Sequence, residues 1–498
     1  MNKEDVLRDV DFGKRVAEDE VEHLATYFVE TDHWRRIYSG DVDIVYGPKG
    51  SGKSAIYVLL TQRMDALFDR RIMLLAAENP RGATAFGDLA SDPPTSESEF
   101  VGLWKLYFAT LISNHFNDWG LHCPESRRLR KILEQESLVE KGHDLRGILR
   151  SVYDYVRKAL RRPQLEGGVQ LDPATGLPIG FKGKITFEQP SLEAEKSGFV
   201  SADGLLRLAE EALIKSEYSI WVLIDRLDVA FADSEELEHN ALRALFRVYL
   251  DCRALYKVGF KIFLRTDIWR RISETGFREA SHITRHLTIH WDSPSLMNLI
   301  VSRSLRSENL ARFYGVETDA ILSSRVSQLG MFYRLVPDQV DVGPNKPQTF
   351  DWVISRVRDG TKLTAPRELI HFFNCLREGQ VRRLELGEEE PEGEMLFSRP
   401  AFKDALPEVS RVRLEQTLYA EFPWCKDWLE RVRQEKTLQF PKSLARIWAV
   451  PEAKAGEVAS ALVAIGFFER RGTKTEPEYW VPFLYRDALE MVQGTAEQ

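Results

Sequence analysis

Eight consecutive residues carry recognisable chemistry. Gly47-Pro48-Lys49-Gly50-Ser51-Gly52-Lys53-Ser54 fits G-x-x-x-x-G-K-[ST] at every fixed position. Glycines in such a loop let backbone N–H groups curl round an anion, the lysine reaches the terminal phosphates of a nucleoside triphosphate, and the hydroxyl residue ligates Mg²⁺. Lys53 and Ser54 take those two roles. The flanks agree: strand-like Asp43-Ile44-Val45-Tyr46 precedes the loop and helix-like Ala55-Ile56-Tyr57-Val58-Leu59-Leu60 follows it. The loop therefore opens a helix at its N-terminus, where the exposed N–H groups and the helix dipole favour phosphate.

A loop of this kind needs a second anchor for the metal, usually an acid that closes a buried strand. Ser219-Ile220-Trp221-Val222-Leu223-Ile224-Asp225 supplies one. Asp225 is expected to hold Mg²⁺ through water, and Asp228, three residues on, is the nearest candidate to orient an attacking water. Around these two motifs stand further short apolar runs, Ile72-Met73-Leu74-Leu75, Ile262-Phe263-Leu264 and Leu287-Thr288-Ile289, with helical patterns between them. Uninterrupted apolar runs separated by helices predict an α/β fold whose parallel sheet is covered on both faces.

At 498 residues, 43% hydrophobic and 29% charged, the chain has the composition of a multidomain globular protein. No apolar run reaches the roughly 18 residues of a membrane span, and the polar, acidic start is unlike a signal peptide, so a cytoplasmic protein with no membrane partner is expected. A net charge of −8 confines any nucleic-acid contact to a local basic patch. Cys123, Cys252, Cys375 and Cys425 form no C-x-x-C pair, which points to neither zinc nor disulfides. His282, His286 and His290 would align as metal ligands only on a continuous helix, and the strand-like Leu287-Thr288-Ile289 interrupts one.

Four segments follow. Residues 1–40 form an N-terminal helical segment, with the pattern over Asp11–Gly40 read as helix. Residues 41–292 form the phosphate-loop core, with an insertion at about 120–200 in which Gly167–Phe187 reads as a hairpin. Residues 293–386 form a helical lid whose first helix Ser293 caps. Residues 395–498 follow an acidic linker, Gly387–Glu394, and carry the order helix, strand, turn, strand of a winged helix.

With these motifs in place, the stretch from about Asp41 to Leu376 resembles AAA+ and STAND P-loop ATPases, including origin-recognition-type loaders and switch ATPases of bacterial phage-defence operons. The resemblance implies ATP and Mg²⁺ as ligands and assembly into homo-oligomers. It further implies that Arg265 and Thr266, in Arg265-Thr266-Asp267, act as a first sensor. Arg285 in Ile283-Thr284-Arg285 would be an arginine finger, with Arg278 and Arg271 as alternatives, and Arg367 in Thr364-Ala365-Pro366-Arg367 a second sensor. One departure stands out: Arg226 occupies the place after Asp225 where the family keeps glutamate, so slow hydrolysis is expected. No N-K-x-D motif is present to read guanine.

Two purposes fit this pattern. One is a regulatory ATPase that couples nucleotide state to oligomerisation and to a separate effector protein, for which the resemblance implies an antiviral role. The alternative is a DNA-binding ATPase of the loader type, touching phosphates through Arg470, Arg471 and Lys474 at the wing.

Overall fold

The computed structural model describes residues 2–15, 20, 24, 31–78, 93–94, 96–139, 144–160, 172, 183–227, 234–274, 276–473 and 475–497. The five apolar runs pair into one parallel sheet: β1 (Ile44–Gly47), β2 (Ile72–Ala76), β3 (Ser219–Ile224), β4 (Val258–Arg265) and β5 (His286–Thr288). Their order is β2-β3-β4-β1-β5, so β4 separates the strand of the phosphate loop from the strand that ends at Asp225. β1 is buried throughout and β3 over its last five residues, as strands covered on both faces must be. Because all five run in one direction, their C-terminal ends form one edge of the sheet and their N-terminal ends the other.

The chain divides into two compact units, one of Asp32–Pro48 and Lys53–Ile289, the other of Met1–Thr31, Lys49–Gly52 and His290–Gln498. In the sheet unit, the helix Glu97–Asp118 is capped by Ser96, whose hydroxyl accepts the Glu99 N–H. It is buried on almost every side: Trp104 stacks on Phe108, and Phe108 meets Phe260 of β4 edge-on with ring centroids 5.2 Å apart. Leu129, Leu133, Val152 and Val156, within the stretch at about 120–200 read from sequence as an insertion, join the same hydrophobic core as the sheet. Apart from residues 172 and 183–187, the predicted hairpin lies outside the described residues; Ile185–Thr186 pairs in parallel with Val200–Ser201.

The other unit has its own core, in which the helices Ser293–Ser304, Arg325–Leu335, Thr349–Val357 and Pro366–Glu385 surround Phe332, Trp352, Phe372 and Phe373. Its C-terminal part contains β6 (Lys436–Gln439), the helices Pro441–Trp448 and Glu452–Ala464, β7 (Glu469–Gly472), β8 (Pro477–Trp480) and β9 (Val492–Thr495). The strands form a sheet of order β9-β6-β8-β7, with β8 antiparallel to both neighbours, a winged-helix-like arrangement. The fold is α/β: a P-loop-type parallel sheet, then a helical region, then this winged-helix-like portion.

Three expectations are corrected. The helix predicted over Asp11–Gly40 is found only at Asp32–Ser39 among the described residues, while Lys3–Asp9 is helical instead. Phe12 leaves the helical path because its ring packs 5.2 Å from Phe373 and the backbone then turns at Gly13 with φ +85°, a conformation other residues avoid. The cap of Ser293–Ser304 is Asp292, whose carboxylate accepts the Ser295 N–H at 2.8 Å. The acidic stretch also packs rather than merely links: Lys3 donates to Pro391 O and Gly393 O, and Glu394 pairs with Arg334 at 2.8 Å.

Candidate active site

β1 runs out at Gly47 into the loop, where Gly50 and Gly52 have φ of +78° and +96°. Only glycine takes these values without strain, which is why the loop's backbone can fold inward. Lys53 begins the following helix, and its ammonium donates to Gly47 O at 2.8 Å and Pro48 O at 3.0 Å. Ser54 Oγ donates to Asp225 Oδ2 at 3.1 Å, joining residues 171 positions apart in sequence across the intervening β4.

Asp225 is 7% exposed, and Arg226 beside it has φ +60°. A non-glycine residue in the left-handed region costs on the order of 1 kcal/mol or more and is held only where the surroundings dictate it. The turn after Asp225 is therefore sharply constrained. Asp228, the predicted water-orienting acid, lies outside the described residues.

Between the ends of β1 and β3, β4 closes with Arg265, registered opposite Gly47. Arg265 grips Asp267 through two bonds, Nε to Oδ1 at 3.1 Å and Nη2 to Oδ2 at 2.9 Å. Burial alone would raise the Asp267 carboxyl, but the Arg265 guanidinium holds it below the usual range. Thr266 Oγ1 is buried without a hydrogen-bond partner among the described residues. An orphaned hydroxyl costs roughly 1–3 kcal/mol unless something else satisfies it. Thr266 directly follows the strand beside the one that carries the loop.

The loop tip belongs to the other compact unit. There Trp291 Nε1 donates to Ser51 O at 2.8 Å, Lys49 forms an ion pair with Glu421, and a Cβ added at Gly50 would stand 3.1 Å from Cβ of Arg367. Arg367, predicted as second sensor, thus packs against the tip, and its Nε donates to Arg15 O at 3.2 Å. Ser51 Oγ is a second buried hydroxyl with no partner among the described residues. Sequence reading missed Trp291 and Glu421, which no local motif marks.

Mg²⁺ fits this donor set. Ser54 Oγ and Asp225 Oδ2 are hard oxygens that meet at 3.1 Å, so the hydroxyl could ligate the ion while the carboxylate holds one of its waters. No group of three or more His, Cys, Asp or Glu among the described residues could cage a metal. One hydroxyl and one carboxylate, with phosphate and water supplying the rest, is the pattern Mg²⁺ accepts.

Arg285 lies at the other edge of the sheet, beside the start of β1. Its Nε donates to Asp43 Oδ2 at 2.8 Å and its guanidinium also reaches Gly40 O, with the side chain 44% exposed. Asp43 also accepts from Tyr249 OH at 2.9 Å, and Lys261 Nζ stands 3.9 Å from its other oxygen and 4.2 Å from the Trp221 ring centroid. Burial pushes the Lys261 amine down to about 8. Asp43, Arg285, Tyr249 and Trp221 border a cavity of about 310 Å³. At about 3.3 Å per residue, Arg285 stands about 13 Å from Gly47 along the strand, beyond reach of its own phosphate loop. Arg271 pairs with Glu238 at 2.8 Å, whereas exposed Arg278 has no ion pair among the described residues.

In the winged-helix-like portion, Arg470 and Arg471 are exposed on β7; Arg471 is paired to Glu469 at 3.1 Å and lies 3.9 Å from the Trp480 ring centroid. Lys474 lies outside the described residues. No helix among the described residues is long and apolar enough to cross a membrane.

No protein-family model matches the chain. A curated protein of Escherichia coli K12, the "Putative transposon gamma-delta 80.3 kDa protein", is 23% identical over 305 residues, 59% of this chain and 39% of that protein. The match thus spans about two-fifths of that relative's length. Among solved structures, the chain is similar to the Aeropyrum pernix ORC1 protein in complex with DNA (10% identity, 96% of each chain, TM-score 0.37). It is also similar to the Aeropyrum pernix ORC2 protein in ADPNP–ADP complexes (13% identity, 95% and 91%, TM-score 0.30). A third is Cdc6p from Pyrobaculum aerophilum (10% identity, 92% and 91%, TM-score 0.27). At such TM-scores these likenesses carry no argument, and the fold rests on the sheet order and loop geometry above.

Proposed function

We propose that this chain is a Mg²⁺-dependent ATPase whose nucleotide state governs its association with further copies of itself. The observation that carries the reading is the 3.1 Å contact between Ser54 Oγ and Asp225 Oδ2, which brings a phosphate-loop hydroxyl and a strand-end carboxylate to one point. The loop's N–H groups bind the phosphates, and Lys53 turns from the carbonyls of Gly47 and Pro48 to the terminal phosphate. Ser54 and Asp225 hold Mg²⁺, which neutralises charge on the phosphates as the terminal bond breaks. Thr266 orients the nucleotide from the end of β4. ATP is preferred to GTP because the sequence carries no N-K-x-D motif.

Self-association enters through Arg285. From the far edge of the sheet it can serve only a neighbouring copy's phosphates, and a phosphate group is a stronger bidentate acceptor for guanidinium than the shared Asp43 carboxylate. Exposed Arg278, seven residues earlier, is the alternative donor.

The test of the site is Asp225→Asn. Turnover of ATP should fall by about 100-fold or more while binding of ATP without Mg²⁺ survives, because one anionic anchor of the metal becomes neutral. Unchanged Mg²⁺-dependent turnover would remove Asp225 from the site.

A further inference from the structure

β2 is the outer strand of the sheet, and nothing in its sequence marks its end as functional. Its last registered residue, Ala76, stands opposite Leu223, and the ladder continues one step, with Ala77 N–H donating to Leu223 O at 2.9 Å. Glu78 and Asp225 each follow that registered pair by two residues. Both residues lie just past the ends of these adjacent strands, whose backbones run roughly 4.8 Å apart.

Glu78 is 1% exposed. Carboxylates are almost never buried so deeply unless a structural partner or a task holds them there. Tyrosines from two helices pin its backbone: Tyr57 OH donates to Glu78 O at 3.1 Å and Tyr107 OH to Ala77 O at 2.8 Å. Tyr57 lies one turn beyond Ser54 on the helix Lys53–Gln62. Its hydroxyl is pushed above the usual range by burial, then by Asp225, then by Glu78, so both carboxylates stand within electrostatic reach of it.

We propose that Glu78 is the general base of the ATPase: it accepts the proton of the water that attacks the terminal phosphate. The inference rests on the ATPase reading above and supplies an acid near Asp225 that the next position, held by Arg226, does not. Water oxygen bonds to the terminal phosphorus, and the bond from phosphorus to the bridging oxygen breaks, its electron pair leaving on ADP. The water proton passes to the Glu78 carboxylate and from there to the released phosphate or to solvent. Asp267 is the weaker base, because Arg265 grips both of its oxygens and keeps it ionised. Asp225 already accepts from Ser54.

The experiment uses the full chain with Glu78→Gln, which keeps shape and removes the base. Affinity for Mg²⁺-ATP, measured by titration, should stay within about threefold of wild type, while single-turnover rate falls by roughly 10²–10⁴-fold, the usual worth of a general base. Acid quenching should then recover bound ATP rather than ADP. A merely structural glutamate would show the opposite split: lower melting temperature and weaker binding, with chemistry intact once ATP is bound. Turnover by Glu78→Gln within threefold of wild type overturns the proposal. If that variant does not fold, Glu78→Asp decides: it should bind ATP yet turn over at least tenfold more slowly, and unchanged turnover again overturns it. If wild type itself binds no ATP, the ATPase reading has failed, and Glu78 loses its role with it.

Discussion

The two edges of the parallel sheet are both rich in polar groups, yet they treat them in opposite ways. At the N-terminal edge Arg285 and Tyr249 both donate to Asp43 in a closed network beside a cavity, with Lys261 3.9 Å from the other Asp43 oxygen. At the C-terminal edge Thr266 Oγ1 is left without a partner among the described residues, Arg226 is forced into a left-handed turn, and two carboxylates, Asp225 and Glu78, are buried at the ends of adjacent strands. A closed network contributes stability and asks nothing of a ligand. An edge with orphaned donors and backbone strain retains free energy that a bound anion and metal can release. On that contrast the proposed chemistry belongs to the C-terminal edge, and under the proposal the N-terminal edge acts only when a stronger acceptor opens its network.

Arg285→Ala tests that last clause most severely. A trans arginine stabilises transition-state charge by roughly 10³–10⁵ in rate. ATP turnover of the assembled protein should therefore fall by about 10³-fold with ATP binding preserved, and should partly return on mixing with a phosphate-loop variant that keeps Arg285. A lower melting temperature with turnover unchanged would make the N-terminal edge purely structural and pass the role to Arg278.

A smaller effect sharpens the contrast from the other side. The buried Lys261 amine titrates near 8, against about 10.4 in an unfolded chain. Between those values the unfolded state binds the extra proton, so Lys261's penalty, complete below pH 8, is relieved as pH rises towards 10. Denaturant melts at pH 7, 8 and 9 should show wild type gaining on Lys261→Met by up to about 1.4 kcal/mol per pH unit. A difference independent of pH would mean that Asp43 and Trp221 fully compensate the buried charge.

All five strands were legible because each is a short apolar run between helical periods. The phosphate loop was legible because its spacing is local, and the Ser54–Asp225 pairing because each residue ends or follows a motif. Glu78 was not, since its meaning comes from the register of β2 on β3, which joins residues separated by almost a third of the chain. Trp291 and Glu421 meet the loop tip through tertiary packing that no motif encodes. The start of the N-terminal helix was read too early because Phe12 has helical spacing with the residues after it, whereas its ring is spent on the core around Phe373; Val16 and Val21 lie outside the described residues.

The central claim, that the loop opening the helix Lys53–Gln62 is a nucleotide site, is tested most directly by titrating ATP, with and without Mg²⁺, into wild type and Lys53→Ala. Lys53 is the cation the helix start offers to the terminal phosphates, and exposed backbone at the loop is otherwise unchanged in the variant. The account predicts saturable binding by wild type that Mg²⁺ strengthens, a loss of at least 100-fold in affinity for Lys53→Ala, and melting temperatures that agree within a few degrees. Equal ATP binding by the two proteins would contradict it.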